Sequence, residues 1–528
     1  MEQNPNSMVE YGFRRAIITI TVILCALLEL IDTSIVNVAT TQLMGNLGAT
    51  LGEVSWVIAA YSIANVIIVP MAGWLSSFFG RKNYFAGSVI IFTVASILCG
   101  NSTNIWELVF FRFLQGIGGG ALLATAQSIL VEIFPPEQRG LSTALFGMGV
   151  IMGPTLGPTV GGYLIDNFDW PMIFYVNIPI GIVATILTIR YIRNQPLQFR
   201  QNTGTIDWLG MALLVAGIGS LQYVLEQGDR EDWFDSQTIT FFAILAVVGI
   251  ICFIWRELTT PNPIVDLSII KKGNVGIGLV MSFVLGFGLF ASVFIYPVFA
   301  QRFLGFTALQ TGLSLLPGAL FSGMMMPMVG GMLQKGVPPT RMIVFGFLGF
   351  AAFTFYTQSI MTPQASDSDF FIPLLLRGFS LGMLFVPLTN LALTGLSPRD
   401  IPQASGLTSM IRQLGGSFSV ALVSVFQERR IAQHRSDILS HITAYDPNTA
   451  ERLNSYTNGF MGRGNFSLDK AQQMGNAALE YTVQKQSFLL TYIDIFLYLG
   501  IFFICCLPLV LFAKNLKATV KVDTSAAH

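Results

Sequence analysis

Charge is scarce in this sequence. Lysine and arginine number 29, aspartate and glutamate 29, together 11% of 528 residues, against about 25% in an average soluble domain. A chain with so few ionic groups cannot cover itself with water, and no polar stretch is long enough to fold as a catalytic domain. The two signs cancel to a net charge of zero and no long basic run interrupts the balance, which excludes a nucleic-acid partner. Histidine and cysteine are also few. Cys25, Cys99, Cys252, Cys505 and Cys506 lie inside apolar runs, whereas His434 and His441 sit in a polar segment and His528 is the last residue. No metal site or disulfide framework is expected from that pattern; the cysteines read as small lipophilic fillers. A glycine-rich phosphate loop is missing, which disfavours coupling to ATP. So is a small-x-small cleavage site after the first apolar run, which follows Arg14-Arg15 and is too long for a signal-peptide core, so it is expected to stay as a span.

What the chain has in abundance is apolar surface: 53% hydrophobic residues, 43 of them phenylalanine, with a mean hydropathy of +0.63. This is the composition of an integral membrane protein embedded in a lipid bilayer. Segments of about 20 residues suffice to cross the hydrocarbon, and fourteen can be read, centred near residues 28, 64, 92, 118, 153, 182, 216, 248, 286, 320, 351, 383, 416 and 500. Charge tests the count. With the N-terminus inside, the inner segments hold 17 of the 29 basic residues, namely Arg14, Arg15, Arg81, Lys82, Arg139, Arg190, Arg193, Arg200, Arg256, Lys271, Lys272, Lys335, Arg341, Arg399, Lys514, Lys517 and Lys521. The short outer loops hold two, Arg230 and Arg302, and the long segment 427–486, exempt from the bias by its length, holds seven. Dropping one span would invert half of these loops, so the count is even and both termini are expected in the cytoplasm.

An internal repeat accompanies the count. Phe111-Arg112-Phe113-Leu114-Gln115-Gly116 in the fourth span is echoed by Leu376-Arg377-Gly378 in the twelfth, 265 residues on, and Gly140-Leu141-Ser142-Thr143 by Gly406-Leu407-Thr408-Ser409, 266 residues on. Spans one to six then pair with nine to fourteen. The expected organisation is all-α: a six-helix bundle over 1–200, an inserted hairpin of spans seven and eight over 201–270, and a second six-helix bundle over 271–528 that includes an outer segment at 427–486. Two repeats about a site at their interface form a transporter plan. A receptor or channel would have little use for paired intramembrane arginines.

In the fifth span, glycines at 149, 153, 157 and 161 recur once per turn, with Pro154, Pro158 and Gly162 among them. Each such glycine costs a soluble helix about 1 kcal/mol and each proline about 3. A bilayer enforces the helix, and small residues four apart admit a neighbour closely. This span is expected to pack tightly and to bend.

The first span carries Glu29 and Asp32, three residues apart and so on one helical face, with Asn37 beyond them. Asp32 lies about 12 Å below the outer end of its span and Arg112 about 9 Å below the same surface, so the two share a depth. A carboxylate there costs at least about 2.5 kcal/mol and faces a partner or a cavity. Two roles are open to the pair: a fixed structural ion pair, or proton coupling and recognition of substrate charge, with Glu29 as a second titrating group. Tyr61, Asn65, Gln115, Arg377 and Arg412 are candidates for the cavity wall, together with Asn37. The loop at Gly73-Trp74-Leu75-Ser76-Ser77-Phe78-Phe79-Gly80-Arg81-Lys82 reads as a tight inner turn with a basic anchor.

Taken together, these segments resemble the fourteen-span drug:proton antiporter family of the major facilitator superfamily, and within it the EmrB-type multidrug efflux permeases. Leu30 to Ala39 is similar to the family's first-span motif, Arg112 with Gln115-Gly116 to its fourth-span motif, Gly149 to Gly162 to its antiporter motif, and Ile173 to Gly181 to the opening of its sixth span. Asp232-Trp233-Phe234 and Asn262 to Ser268 match in the inserted hairpin. One departure stands in the inner loop, where the superfamily's usual aspartate is replaced by Ser77 and its basic residue by Phe78; only Gly73, Gly80 and Arg81 fit. The resemblance implies export of lipophilic or amphipathic drugs across the bacterial inner membrane, driven by protons through Asp32, Glu29 and Arg112, with no cofactor. It also implies a periplasmic membrane-fusion adaptor and an outer-membrane channel as partners, met through 427–486. A proton-driven importer of one small solute on the same scaffold is the alternative.

Overall fold

A computed structural model of the chain describes residues 8–194, 206–397, 399–443, 445–463 and 466–513. Arg200, Lys514, Lys517, Lys521, His528 and the boundary expected at 200/201 lie outside the described residues. Fourteen helices are long and apolar enough to cross a membrane, and each contains one of the centres read from the sequence. The first six are α1 (Gly12–Leu47), α2 (Leu51–Phe79), α3 (Arg81–Gly100), α4 (Ile105–Ile133), α5 (Pro136–Asn167) and α6 (Met172–Tyr191). A hairpin follows, α7 (Trp208–Gln227) and α8 (Gln237–Thr259). The last six are α9 (Val275–Leu304), α10 (Leu309–Gln334), α11 (Pro339–Ile360), α12 (Asp367–Leu393), α13 (Ile401–His441) and α14 (Leu468–Phe512).

The most extensive contacts between the two sets of six are a symmetry-related pair, α2 on α13 and α5 on α10. Under the repeat α2 corresponds to α10 and α5 to α13, so each contact maps onto the other. Glycine brings the backbones together in both. A Cβ on Gly73 would stand 3.0 Å from the backbone of Gln403, one on Gly406 2.9 Å from the Val69 carbonyl oxygen, and one on Gly330 2.8 Å from that of Gly140. All three lie toward the end of the bundle that carries Arg81, Arg139 and Lys272, the basic end. The hairpin lies along the seam: α7 touches both α2 and α13, and Gln222 donates to Ser417 Oγ at 2.8 Å.

Glycines of the fifth span serve α1. Gly153 faces Leu30, Gly157 faces Ile31 and Ser34, and Gly161 faces Ile35. Pro154 and Pro158 lie within the helix. The ladder thus sets the position of the helix that carries both intramembrane carboxylates. Gly162 is buried on the same helix. Between α2 and α3 the whole turn is Gly80, at φ 84° and ψ 134°, a conformation that disfavours any side chain.

Opposite the basic end segment 427–486 is helical: α13 runs on to His441 and α14 starts at Leu468, with one short helix between them among the described residues, Pro447–Arg463. At 41 residues α13 is about 62 Å long, twice the hydrocarbon thickness. Ser467 does occupy the cap position of α14, but its side chain makes no capping bond. Arg430 and His434 of α13 hold the two long helices together on Asp494 of α14, His434 Nε2 at 2.8 Å and Arg430 Nη2 at 2.5 Å.

The ladder yields a graded test. A Cβ at Gly153 would meet Leu30 Cβ at 2.5 Å, whereas one at Gly149 meets nothing nearer than 3.6 Å. Gly153→Ala is expected to destabilise the detergent-solubilised protein by about 1–3 kcal/mol, read as a lowered thermal-unfolding midpoint, and Gly149→Ala to leave it unchanged or raised.

Candidate functional site

Four N-half helices converge on Asp32, which is fully buried. Arg112 Nη1 of α4 donates to Asp32 Oδ2 at 2.5 Å, while Gln115 Nε2 of α4 and Asn177 Nδ2 of α6 donate to Oδ1 at 2.9 and 2.8 Å. Ser96 of α3 stands behind them, accepting from Gln115 at 2.8 Å and from Asn177 at 3.4 Å. Arg112 also donates from Nε to the Val57 carbonyl and from Nη1 to Gln115 Oε1, and it lies 4.1 Å from the Tyr61 ring centroid of α2. Every group facing Asp32 through a hydrogen bond donates. A protonated carboxyl would set its own O–H against one of them, so the cage fits the carboxylate and loosens when a proton arrives.

One turn toward the basic end lies Glu29, also buried. Asn65 Nδ2 donates to its Oε1 at 2.9 Å, and its Oε2 accepts nothing. Three glycines of α4 bring α2 close enough for this: a Cβ at 116 would strike the Tyr61 carbonyl at 2.5 Å, one at 119 would strike the Tyr61 hydroxyl, and one at 120 would strike the Asn65 carbonyl at 2.6 Å. Across the interface stands Arg412 of α13, near enough for Glu29 to feel its charge. Its Nη2 donates to Ser409 Oγ at 3.2 Å, and the Phe385 ring lies 5.0 Å away.

Arg377 is buried on α12 and donates from Nε to Ser292 Oγ of α9 at 3.0 Å. It therefore makes the contact that Arg112 makes in its own half, fourth helix to first, with serine in the aspartate's place. Asn37 departs from expectation. After Ile35 the helix tightens into a 3-10 turn over Val36–Ala39, and Asn37 emerges exposed; the change from about 100° to about 120° per residue turns it away from the face that Glu29 and Asp32 share. On α10, Met324 and Met328 are exposed and Met326 is fully buried.

At the basic end Arg81 forms a buried ion pair with Glu132 at the end of α4, and Ser128 donates to the other oxygen of Glu132 at 3.0 Å. Ser77, standing where the inner-loop pattern has aspartate, donates to the Gly73 carbonyl within its own helix. The ionic lock of this loop is thus Arg81 to Glu132 inside one half. Glu132, Asn177 and Ser96 were not among the expected site residues. Glu132 had a signal, a carboxylate closing an apolar helix just before Phe134-Pro135-Pro136; Asn177 lay within the segment similar to the family's sixth-span opening but was not singled out, and Ser96 had no signal beyond being polar in an apolar span.

Comparison with known proteins follows the same line. The profile of the Major Facilitator Superfamily matches residues 22–420. The chain is similar to the multidrug export protein EmrB of Escherichia coli K12, 34% identical over 506 residues that cover 95% of this chain and 96% of the relative. It is likewise similar to the fatty acid resistance protein FarB of Neisseria gonorrhoeae, 34% identical over 511 residues, 95% and 97% of the two chains. Among solved structures, the human organic anion transporter MFSD10 shares the fold, with a TM-score of 0.56 at 14% identity over 78% of this chain and 93% of that one.

Removing one member of a buried ion pair leaves the other without compensation, at a cost of about 3–5 kcal/mol. Arg112→Gln is expected to lower the unfolding midpoint of the purified protein sharply, and Arg112→Gln combined with Asp32→Asn to recover part of the loss. A loss in the double variant equal to the sum of the losses in Arg112→Gln and Asp32→Asn would show that the pair is not coupled.

Proposed function

That the chain belongs to the major facilitator superfamily, and within it to the EmrB-type multidrug export proteins, is the premise from which we propose that it exports lipophilic or amphipathic compounds in exchange for protons. In this reading it is a secondary active transporter of the bacterial inner membrane, with the basic end and both termini in the cytoplasm. The observation that carries the proton step is the all-donor cage around Asp32, closed by Arg112, Gln115 and Asn177.

In this conformation the halves approach closely both toward the basic end, at Gly73, Gly330 and Gly406, and toward the other, at Gly312 and Thr159, and the cage around Asp32 fits a carboxylate. A proton entering from the opposite side neutralises Asp32, breaks its attraction to Arg112 and frees α1 to shift along the glycine ladder of α5. Because Asp32 is pinned to α3, α4 and α6 through these bonds, its neutralisation loosens the N half as a unit. Glu29, one turn along and facing the C half, senses substrate or takes the proton onward. Opening at the basic end then restores the cage and sends the proton inward. Tyr61, Asn65, Gln115, Arg377 and Arg412 line the path that substrate and proton share. No bound cofactor has a place in the cycle.

The helical cap formed by α13, Pro447–Arg463 and α14 projects beyond the bilayer on the exit side. It is suited to receive a periplasmic membrane-fusion adaptor that continues to an outer-membrane channel. Tyr445 and Tyr481, exposed on this cap, offer aromatic anchors of the kind interfaces favour.

The test uses purified protein in proteoliposomes with an imposed pH gradient and a lipophilic dye. Dye movement against proton movement, abolished in Asp32→Asn, is the expected result. Transport that survives in Asp32→Asn would move the proton site to Glu29. Protons and dye moving together would replace the exporter by an importer.

A further inference from the structure

We propose that the interface between the halves contains a head-group subsite for an anionic amphiphile, in which Arg412 and Gln127 hold a carboxylate. The inference rests on the export reading and adds the class of substrate.

Arg412 sits 11 residues into α13 from Ile401, about 17 Å above the basic end and so near the middle of the hydrocarbon. A cation there is costly unless paired. Arg112 is paired with Asp32 and Arg81 with Glu132, but among the described residues no carboxylate lies within ion-pair distance of Arg412. Its Nη1 is buried and makes no hydrogen bond. Facing it from the N half is Gln127 of α4, whose Oε1 accepts from Ser409 at 3.1 Å and whose Nε2, also buried, is unfilled. Ser409 in turn accepts from Arg412 Nη2. One hydroxyl therefore ties together two side chains from opposite halves, each with an unused N–H.

Two buried, unfilled donors on side chains bridged by one hydroxyl, one of them on a cation, suit an anion with two oxygens. A water molecule would satisfy an N–H and leave the charge uncompensated. The surrounding wall is apolar and drawn from both halves: Phe385 lies under the guanidinium, Phe146 is 6.3 Å from Phe385, and Phe385 and Met326 crowd Gly147. An alkyl or aryl tail has its place there. Charge in the membrane interior points the same way, because Arg377 and Arg412 make the C-half face positive while Asp32 and Arg112 of the N half are paired with each other. The competing role for Arg412 is as counter-ion to Glu29 in another state of the cycle, which predicts no selectivity for anions.

The experiment measures equilibrium binding of dodecanoate and of dodecyltrimethylammonium to the full-length protein in nanodiscs, with empty discs subtracted. Arg412→Gln is expected to weaken dodecanoate by about tenfold or more, the scale of a lost charge-assisted hydrogen bond, and to leave the cationic amphiphile within about twofold. Arg412→Lys restores the charge without the fork and should recover the anion in part. Gln127→Leu, which leaves the charge in place, should weaken dodecanoate alone. Equal losses for both amphiphiles in Arg412→Gln, or an unchanged ratio in all three variants, would overturn the subsite. Wild-type protein that binds the cation and not dodecanoate would overturn the subsite and leave the exporter standing, whereas wild-type protein that binds neither would overturn the export reading as well.

Discussion

A carboxylate placed inside hydrocarbon must be answered by something, and in this molecule the answer to Asp32 organises half of the fold. The charge costs several kcal/mol to bury even when paired, so the pairing has to be geometrically good and the remaining lone pairs have to be filled. Arg112 supplies the charge, and Gln115 and Asn177 fill the second oxygen. These donors come from α4 and α6, with Ser96 of α3 behind them. Each helix must therefore hold its depth and rotation for the others to be satisfied. Satisfied in full, such a network rigidifies its surroundings; satisfied in part, it costs more than an apolar core would. A single proton on Asp32 moves it from the first condition to the second.

Small residues make that arrangement reachable. Lipid gives helices no hydrophobic reason to associate, so contact has to come from close packing. Gly116, Gly119 and Gly120 let α2 approach α4 until Tyr61 lies over Arg112 and Asn65 reaches Glu29. Gly153, Gly157 and Gly161 do the same for α5 and α1. A smooth glycine face also offers no ridge to lock a neighbour at one height, so the polar cage around Asp32 adds a fixed point that the ladder alone lacks.

Much of this was legible in the sequence, for identifiable reasons. Span number and order follow from hydropathy and loop charge, which need no partner information. Glu29, Asp32 and Arg112 stood out because ionic groups in apolar runs are expensive. Asn177 and Ser96 did not, since a polar amide or hydroxyl in a membrane helix can be satisfied by its own backbone or by any neighbour, and only the tertiary structure shows that these two end on Asp32 and its shell. Asn37 was a candidate as a polar residue beyond Asp32 on the first span, and it is exposed where the helix tightens into a 3-10 turn, a local change that the apolar pattern does not encode. The long extensions of α13 and α14 were hidden because segment 427–486 is polar, and the apolar pattern that marks a span does not show where a helix leaves the bilayer still wound.

The two halves share a scaffold and differ in chemistry, and the difference is informative. Arg112 reaches from the fourth helix of its half to Asp32 on the first; Arg377 reaches from the equivalent helix to Ser292 on the equivalent first. Serine supplies an acceptor and no charge. The N half therefore holds a buried ion pair, whereas among the described residues no carboxylate lies within ion-pair distance of Arg377 in the C half. Arg412, Gln127 and Ser409 lie where the two halves meet, and one hydroxyl, that of Ser409, touches a side chain from each.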